Sequence, residues 1–552
     1  MMTARPFASF KKLLARILAA SFVAFLSLST HAAENDSAFV QALSSLTSSN
    51  FKDKEEALST LAATRHPNTR KVLAALLDGN LYYRREDQHV FIAQSSDEAL
   101  VLTDPLTLQN AGNGAPEDYS KITTNNRLRK SLKSAIAAFA LSDADPAVRL
   151  SAVTEMMRTL DEESIAVLRN RSKAESDSKV RKAIAAGLAL ADLDNTDVKI
   201  RLAALDHLKG NLSPDVYNRV KTMTTRAEDG TFIEPDEQVR IEAGATVRNI
   251  DSWRSFYGTL ETLFFGLSLG SVLVLAAIGL AITFGVMGVI NMAHGELMML
   301  GAYTTYVMQL LMPTHIGASI IVAIPVAFLV AGAVGVLIER GVVRFLYGRP
   351  LETLLATFGI SLILQQIVRD IFSANNRPVE TPAWMAGSWQ INEALSITYN
   401  RLYVVIFTMV VFAILLMVLK KTTLGLKVRA VAQNRAMAKS MGVRTEWVDA
   451  LTFGLGSGIA GVAGVALSQL TNVGPNLGQQ YIIDSFMVVV FGGVANLWGT
   501  LIGGMSLGVV NKVLEPFAGA VLAKILVLIS LILFIQRKPR GLFPQKGRAA
   551  EA

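Results

Sequence analysis

Residues 285–303 read GVMGVINMAHGELMMLGAY, an apolar run interrupted by a His-Gly-Glu step. His294 and Glu296 stand inside an apolar run long enough to cross a bilayer, about ten residues from either end. An ionisable side chain at that depth costs roughly 2.5 kcal/mol or more, so by default it marks a transport route or a site. Gly285, Gly288, Gly295 and Gly301 permit a broken helix or close packing around it.

Apolar spans continue on both sides, at roughly 259–283, 286–312, 316–340, 352–372, 401–419 and 449–469. A glycine-broken pair follows at 484–516, then a last span at 519–536. Most match the ~20 residues a helix needs to cross. Residues 251–552 therefore read as an all-α polytopic membrane bundle of about eight to nine segments, the broken pair crossing twice or forming a re-entrant hairpin. Arg340, Arg344 and Arg349, the stretch Lys420 to Arg444, and the tail with Arg537, Lys538, Arg540, Lys546 and Arg548 are basic and belong in the cytoplasm. Loops 373–400 and 470–483 are poorer in Lys and Arg and belong in the periplasm. Gly266-x-x-x-Gly270 and Gly454, Gly458, Gly461 and Gly464 have helix-packing spacing. Gly288-Val-Ile-Asn291 before His294 has a weak echo in Gly493-Val-Ala-Asn496 before Trp498, and paired interrupted segments commonly meet near the midplane of a transporter.

The first half of the chain differs in kind. Arg5, Lys11, Lys12 and Arg16 precede a twelve-residue apolar run, Ile17 to Leu28, as in a secretory signal; residues 1–32 read as that signal, with cleavage after Ala32. Residues 33–250 are polar and helical in pattern, hence an exported, periplasmic domain. Asp145-Pro-Ala-Val-Arg149, Asp177-Ser-Lys-Val-Arg181, Asp197-Val-Lys199 and Asp236-Glu-Gln-Val-Arg240 each pair a capping Asp with Val and Ala on one helix face. This resembles HEAT-type helical repeats, although the spacings are irregular and a generic helical bundle fits the same pattern. Leu81 to Val101 reads as a short hairpin.

Several functions are excluded. The chain has no cysteine, so disulfides, thiolate zinc sites and thiol nucleophiles are absent. The net charge of +8 sits largely in loops beside apolar spans, and no aromatic-basic stripe or base-reading motif points to nucleic acid. No metal-ligand spacing, nucleophile constellation or P-loop is visible, so the chain needs no cofactor of its own, and any ATP is hydrolysed by another chain. Asn291, His294, Glu296, Gln365 and Asn496, with Gln366 and Gln469, are the candidate polar lining of a route. The cytoplasmic segment 422–444 reads as a short amphipathic helix ending at Gly442, and its Ala438-x-x-x-Gly442 echoes the coupling loop of ABC importers. A basic helix bound to anionic membrane lipid fits that segment as well.

Taken together, residues 255–545 resemble the branched-chain amino-acid type of ABC permease. The resemblance rests on Gly266 to Tyr303, Arg349-Pro350-Leu351 with Thr357-Phe358-Gly359, Thr423-Leu424-Gly425 with Arg429-Ala430, Phe491-Gly492-Gly493 with Leu497-Trp498-Gly499-Thr500, and Arg540-Gly541-Leu542-Phe543. It implies an inner-membrane permease working with a second permease subunit, two ATPase subunits and a periplasmic substrate-binding protein. It also implies that Gly425, Arg429, Ala430, Ala438 and Gly442 lie at the ATPase contact. Within the family, the long exported extension together with Asn291 to Glu296 resembles the urea-transporting members, which implies urea or a related short-chain amide. A branched-chain amino acid, a channel or ion-coupled carrier using Glu296, and a membrane-anchored scaffold are the alternatives.

Overall fold

The computed structural model describes residues 36–543, apart from residue 65 and residues 96–98. The expected signal segment, Lys546 and Arg548 lie outside the described residues. The chain divides into two compact units, Met1–Ser252 and Trp253–Ala552.

Unit one opens with helices α1 (residues 36–45), α2 (Phe51–Ala63) and α3 (Thr69–Asp78). Strands β1 (Leu81–Arg84), β2 (Val90–Ser95), β3 (Leu100–Thr103), β4 (Asn110–Gly114) and β5 (Tyr119–Lys121) form an antiparallel sheet in the order β4-β3-β2-β1-β5. The expected hairpin is its β1–β2 pair, with Leu81 opposite Ile92. Three further strands extend it; β4, reading NAGNG, carries no apolar alternation that would mark it in sequence.

Six helices follow: α4 (Asn126–Ala140), α5 (Pro146–Met157), α6 (Glu162–Ser172), α7 (Ser178–Asp192), α8 (Val198–Leu208) and α9 (Pro214–Met223). Asp145, Asp177, Asp197 and Asp236 each accept a backbone N–H in the first turn of the helix they begin, at 2.8–3.1 Å. The arginine four residues after each Asp reaches back. Arg149 donates to the carbonyls of Asp143 and Ala144, Arg201 to those of Asn195 and Thr196, and Arg240 to those of Glu234 and Pro235, all at 2.7–3.1 Å. Arg181 makes one such bond, to Ser176 at 3.0 Å. Two of these arginines also hold a glutamate two residues before a later cap: Arg149 to Glu175 at 2.8 Å and Arg201 to Glu234 at 3.0 Å. The capping aspartates are legible in the sequence; these clasps are not, because they join residues 26 and 33 positions apart.

Glu175 is completely enclosed, and it also accepts from Arg171 at 3.0 Å and from the Asp177 N–H at 2.9 Å. The Arg149 guanidinium, ahead of the other donors, draws its carboxyl down to about 2. The folded value lies below the unfolded one. Its stabilising contribution is therefore complete above the ordinary carboxylate range and is lost as pH falls from there through about 2. Arg149→Ala removes the larger of the two cationic partners of this carboxylate and leaves Arg171 as the other, so the clasp is weakened and the Glu175 carboxyl moves back toward the ordinary range. We expect pepsin to cut within residues 146–192 of the full chain at a higher pH in this variant than in the parent; identical cleavage profiles would contradict the assignment.

Unit two is helical apart from one hairpin. Its helices are the continuation of α10 (Glu237–Met287), then α11 (His294–Leu311), α12 (Ile316–Gly341), α13 (Pro350–Phe372), α14 (Tyr399–Lys421), α15 (Thr423–Gln433), α16 (Arg435–Ser440), α17 (Thr445–Ser468), α18 (Leu477–Gly492) and α19 (Leu497–Arg537). The hairpin, β6 (Ser388–Asn392) and β7 (Leu395–Thr398), lies between α13 and α14. Among the described residues six helices are long and apolar enough to cross a membrane. They are α10, α12 with its short extension to Phe345, α13, α14, α17 and α19. The last breaks at Gly519, where φ is 77°. α11 is absent from those six, and α18 has only 16 residues. The polytopic all-α bundle expected from the sequence is the observed architecture.

One expectation is corrected. Residues 286–312 are not a continuous span: α10 runs on to Met287, Gly288 turns the chain at φ +66°, and a new helix begins at His294. The glycine supplies a left-handed conformation that a β-branched residue resists. His294 and Glu296 consequently sit in the first turn of α11, not in the middle of a helix. A second break separates α18 from α19, with Gly493 at φ +102° and Ala495 at φ +64°. The two breaks touch: a methyl on Gly285 would come within 2.2 Å of the Ala495 Cβ.

α11 is buried on nearly all sides, and glycines let its backbone approach its neighbours. A Cβ on Gly301 would meet Gly461 O of α17 at 1.9 Å, and one on Gly464 of α17 would meet Met298 O of α11 at 1.9 Å. Gly295 faces Gly478, so the first turns of α11 and α18 meet backbone to backbone. The packing expectation for Gly461 and Gly464 is met here.

Candidate functional site

Glu296 is 1% exposed, in the first turn of α11, where the helix dipole favours a carboxylate. Its Oε1 accepts from Ser361 Oγ at 3.0 Å and from Gln365 Nε2 at 2.6 Å. Its Oε2 has no hydrogen-bond partner among the described residues. Ser361 is the twelfth of the 23 residues of α13, so the carboxylate lies half-way along a helix about 34 Å long.

His294, fully buried, turns away from this group. Its Nε2 is 2.9 Å from Ala276 O on α10, and its ring fills the space beside Gly279, where a Cβ would come within 2.8 Å of Cε1. Its Nδ1 has no partner among the described residues. Asn291 shapes the break: its Oδ1 accepts from the Ala293 N–H at 3.0 Å, and its Nδ2 is buried without a partner among the described residues. Thr357 of α13 pins the same loop, its Oγ1 accepting from Met292 N at 3.1 Å.

The structure thus brings Glu296 and Gln365 together, with Asn291 and His294 on the same turn and loop. Asn496 is not brought to them. It caps α19 by accepting from Gly499 N at 3.1 Å, and its Nδ2 donates to Phe543 O at 3.2 Å, so it joins the second break to the Arg540–Phe543 ending. Gln366 bonds Asp370 at 2.8 Å, on the exposed side of α13, and buried Gln469 bonds Ser468 at 3.3 Å. Ser361 and Thr357 were not selected as site residues from sequence. The signal was present: Thr353, Thr357, Ser361 and Gln365 recur every fourth residue, all buried, along one face of α13 whose intervening positions from 354 to 364 are apolar or glycine.

The segment 422–444 is two helices rather than one. Asn434, extended at φ −155°, ends α15, and its side chain caps α16 by accepting from Met437 N at 2.9 Å. Gly425 packs on the end of α14, where a Cβ would lie 2.2 Å from Leu419 O, and Arg429 donates to that same carbonyl. Ala438 points inward, into a cluster with Val428, Val431 and Val448 that Ala430 and Val286 flank. Gly442 follows α16 at φ +84°. Met437 and Met441, at 61% and 78% exposure, form the outward face.

Residues 262–535 match the family described as the branched-chain amino acid transport system / permease component. The chain is 32% identical over 293 residues to the high-affinity branched-chain amino acid transport system permease protein LivH of Salmonella typhimurium, covering 51% of this chain and 94% of that protein. It is 29% identical to the corresponding permease protein BraD of Pseudomonas aeruginosa, covering 52% and 96%. It is 24% identical to the ribose import permease protein RbsC of Haemophilus influenzae, covering 44% and 74%. No solved structure matches. The chain belongs to the branched-chain amino acid permease family: it is a permease subunit of an ABC importer of that type and a multi-pass inner-membrane protein. The match lies wholly within unit two.

Proposed function

We propose that this chain forms half of the membrane route of an importer for a branched-chain amino acid, with ATP hydrolysed by separate subunits and the solute delivered by a periplasmic binding protein. The observation that carries this is the buried Glu296–Ser361–Gln365 group at half-depth, where a helix starts inside the bundle. A carboxylate with one free oxygen, a hydroxyl and an amide can exchange hydrogen bonds with the ammonium group of an amino acid. The LivH and BraD permeases, named for branched-chain amino acid transport, support the substrate class.

Urea is the second reading, and a specific feature favours it. Unit one, about 250 residues, has no counterpart in the region shared with the family, and the polar group around Glu296 suits a small neutral molecule rich in N–H donors. In both readings unit one is periplasmic, its helices from α4 onward forming a stack of helical pairs of HEAT type after the five-stranded sheet. Segment 422–444 contacts the ATPase through the Met437–Met441 face, and Gly425, Arg429, Ala430, Ala438 and Gly442 hold that face in place.

The test is ATP hydrolysis by the reconstituted transporter with its permease partner, ATPases and binding protein. Leucine is expected to stimulate hydrolysis and urea is not. Stimulation by urea alone overturns the first reading in favour of the second. Uptake that persists without ATP and collapses with the membrane gradient overturns both.

A further inference from the structure

We infer that Arg435 and Asp449 form the link through which movement of α16 reaches the Glu296 turn; the inference rests on the importer reading above. Arg435 is the first residue of α16, on the segment that faces the ATPase in that reading. Its guanidinium pairs with Asp449, which lies one turn inside α17 and is completely buried, while the Arg435 side chain is 41% exposed. The same guanidinium sits 4.8 Å over the Tyr347 ring. Tyr347 Oη donates to Glu339 Oε1 of α12 at 2.8 Å, and the Glu339 carboxylate lies 3.7 Å from Arg340. Arg340 stacks at 4.4 Å over Trp447, back on α17. The chain of contacts closes on itself and joins α12, α16 and α17.

A closed ring of this kind resists shear. A buried carboxylate without its cation is costly, so α16 cannot move away from α17 without breaking the pair. α17 and α12 are in turn locked together: a Cβ on Gly461 would meet Ala327 O at 2.5 Å, and one on Gly335 would meet Ser457 Oγ at 2.1 Å. α17 also meets α11 backbone to backbone at Met298 and Gly301, within two turns of Glu296. Arg435 and Asp449 are positioning residues: they touch no solute and act by making α16, α12 and α17 move as one body, which carries the first turns of α11 with it. No other described acid–base pair joins segment 422–444 to a membrane-spanning helix.

The experiment compares the assembled wild-type transporter with Arg435→Gln, Asp449→Asn and the double variant. It measures basal hydrolysis, binding-protein-stimulated hydrolysis, and solute moved per ATP. Solute moved per ATP is expected to fall about tenfold in both single variants and in the double. The double variant is the discriminating case, because neutralising both partners removes the stranded charge. If it restores the wild-type ratio, the pair is structural only and the proposal is overturned; single variants that transport like wild type overturn it as well. Arg435→Lys, which keeps the charge at a half-exposed position, covers failure of the others to assemble: a full wild-type ratio there counts against the planar, Tyr347-stacked link. A wild-type transporter that shows no binding-protein stimulation refutes the importer reading itself, which separates the two failures.

Discussion

Glu296→Gln is expected to leave the protein assembled and to abolish uptake. The amide oxygen can still accept from Ser361 and Gln365, so both buried donors remain satisfied. The change falls on the other atom: Oε2, unpartnered among the described residues, becomes an NH2 donor. A solute that offers N–H groups then meets a donor where it met an acceptor. Glu296→Ala is a harsher substitution, since it strands both donors at about 1–3 kcal/mol each and lowers yield as well as uptake. The informative comparison is therefore uptake per assembled transporter for the Gln variant. Wild-type uptake there would reduce Glu296 to a packing element that ties α11 to α13.

Gly464→Leu is expected to prevent assembly altogether. Even the first carbon of a side chain would stand 1.9 Å from Met298 O and 2.7 Å from Ala302 N, both backbone atoms of α11. No rotamer relieves a clash with backbone, so the two helices must separate, and the loss exceeds the ~1–3 kcal/mol of ordinary overpacking. Size-exclusion profiles of the solubilised chain read this directly. Gly359→Leu is the control: apart from its own stretch of helix, no atom among the described residues lies within 4 Å of its Cβ position, and it is expected to elute as wild type. A monodisperse Gly464→Leu protein at wild-type yield would show that the α11–α17 contact is not as close as described.

Much of the architecture was legible because membrane helices obey one dominant rule. An apolar run of sufficient length must satisfy its own backbone hydrogen bonds, so hydropathy marks the helices of unit two. The break before His294 was harder to read. Val289, Ile290 and Met292 are as apolar as a helix interior, and only the positive φ at Gly288 shows that the chain turns there. The same limit applies at Asn434, whose side chain ends one helix and begins another within a segment of continuous helical pattern. At the candidate site Glu296 and Gln365 were visible as polar residues in apolar runs. That they share a hydrogen bond across 69 residues is a tertiary fact, whereas the every-fourth-residue stripe on α13 was there to be read. Asn496 illustrates the converse: a local echo of Asn291 that the fold uses as a cap and a tether for Phe543.

The arginine clasps of unit one give that array a direction. Arg149 is neutralised by a glutamate that arrives only with the turn before α7, and Arg201 by one that arrives only with the turn before α10. As the chain is made, each of these arginines waits, with its backbone carbonyls filled and its charge unanswered, until a later part of the sequence appears. Each clasp thus fastens an earlier helix to the turn that begins a later one. Truncation just before Glu234 would therefore take the carboxylate from Arg201, and truncation just before Glu175 would take it from Arg149.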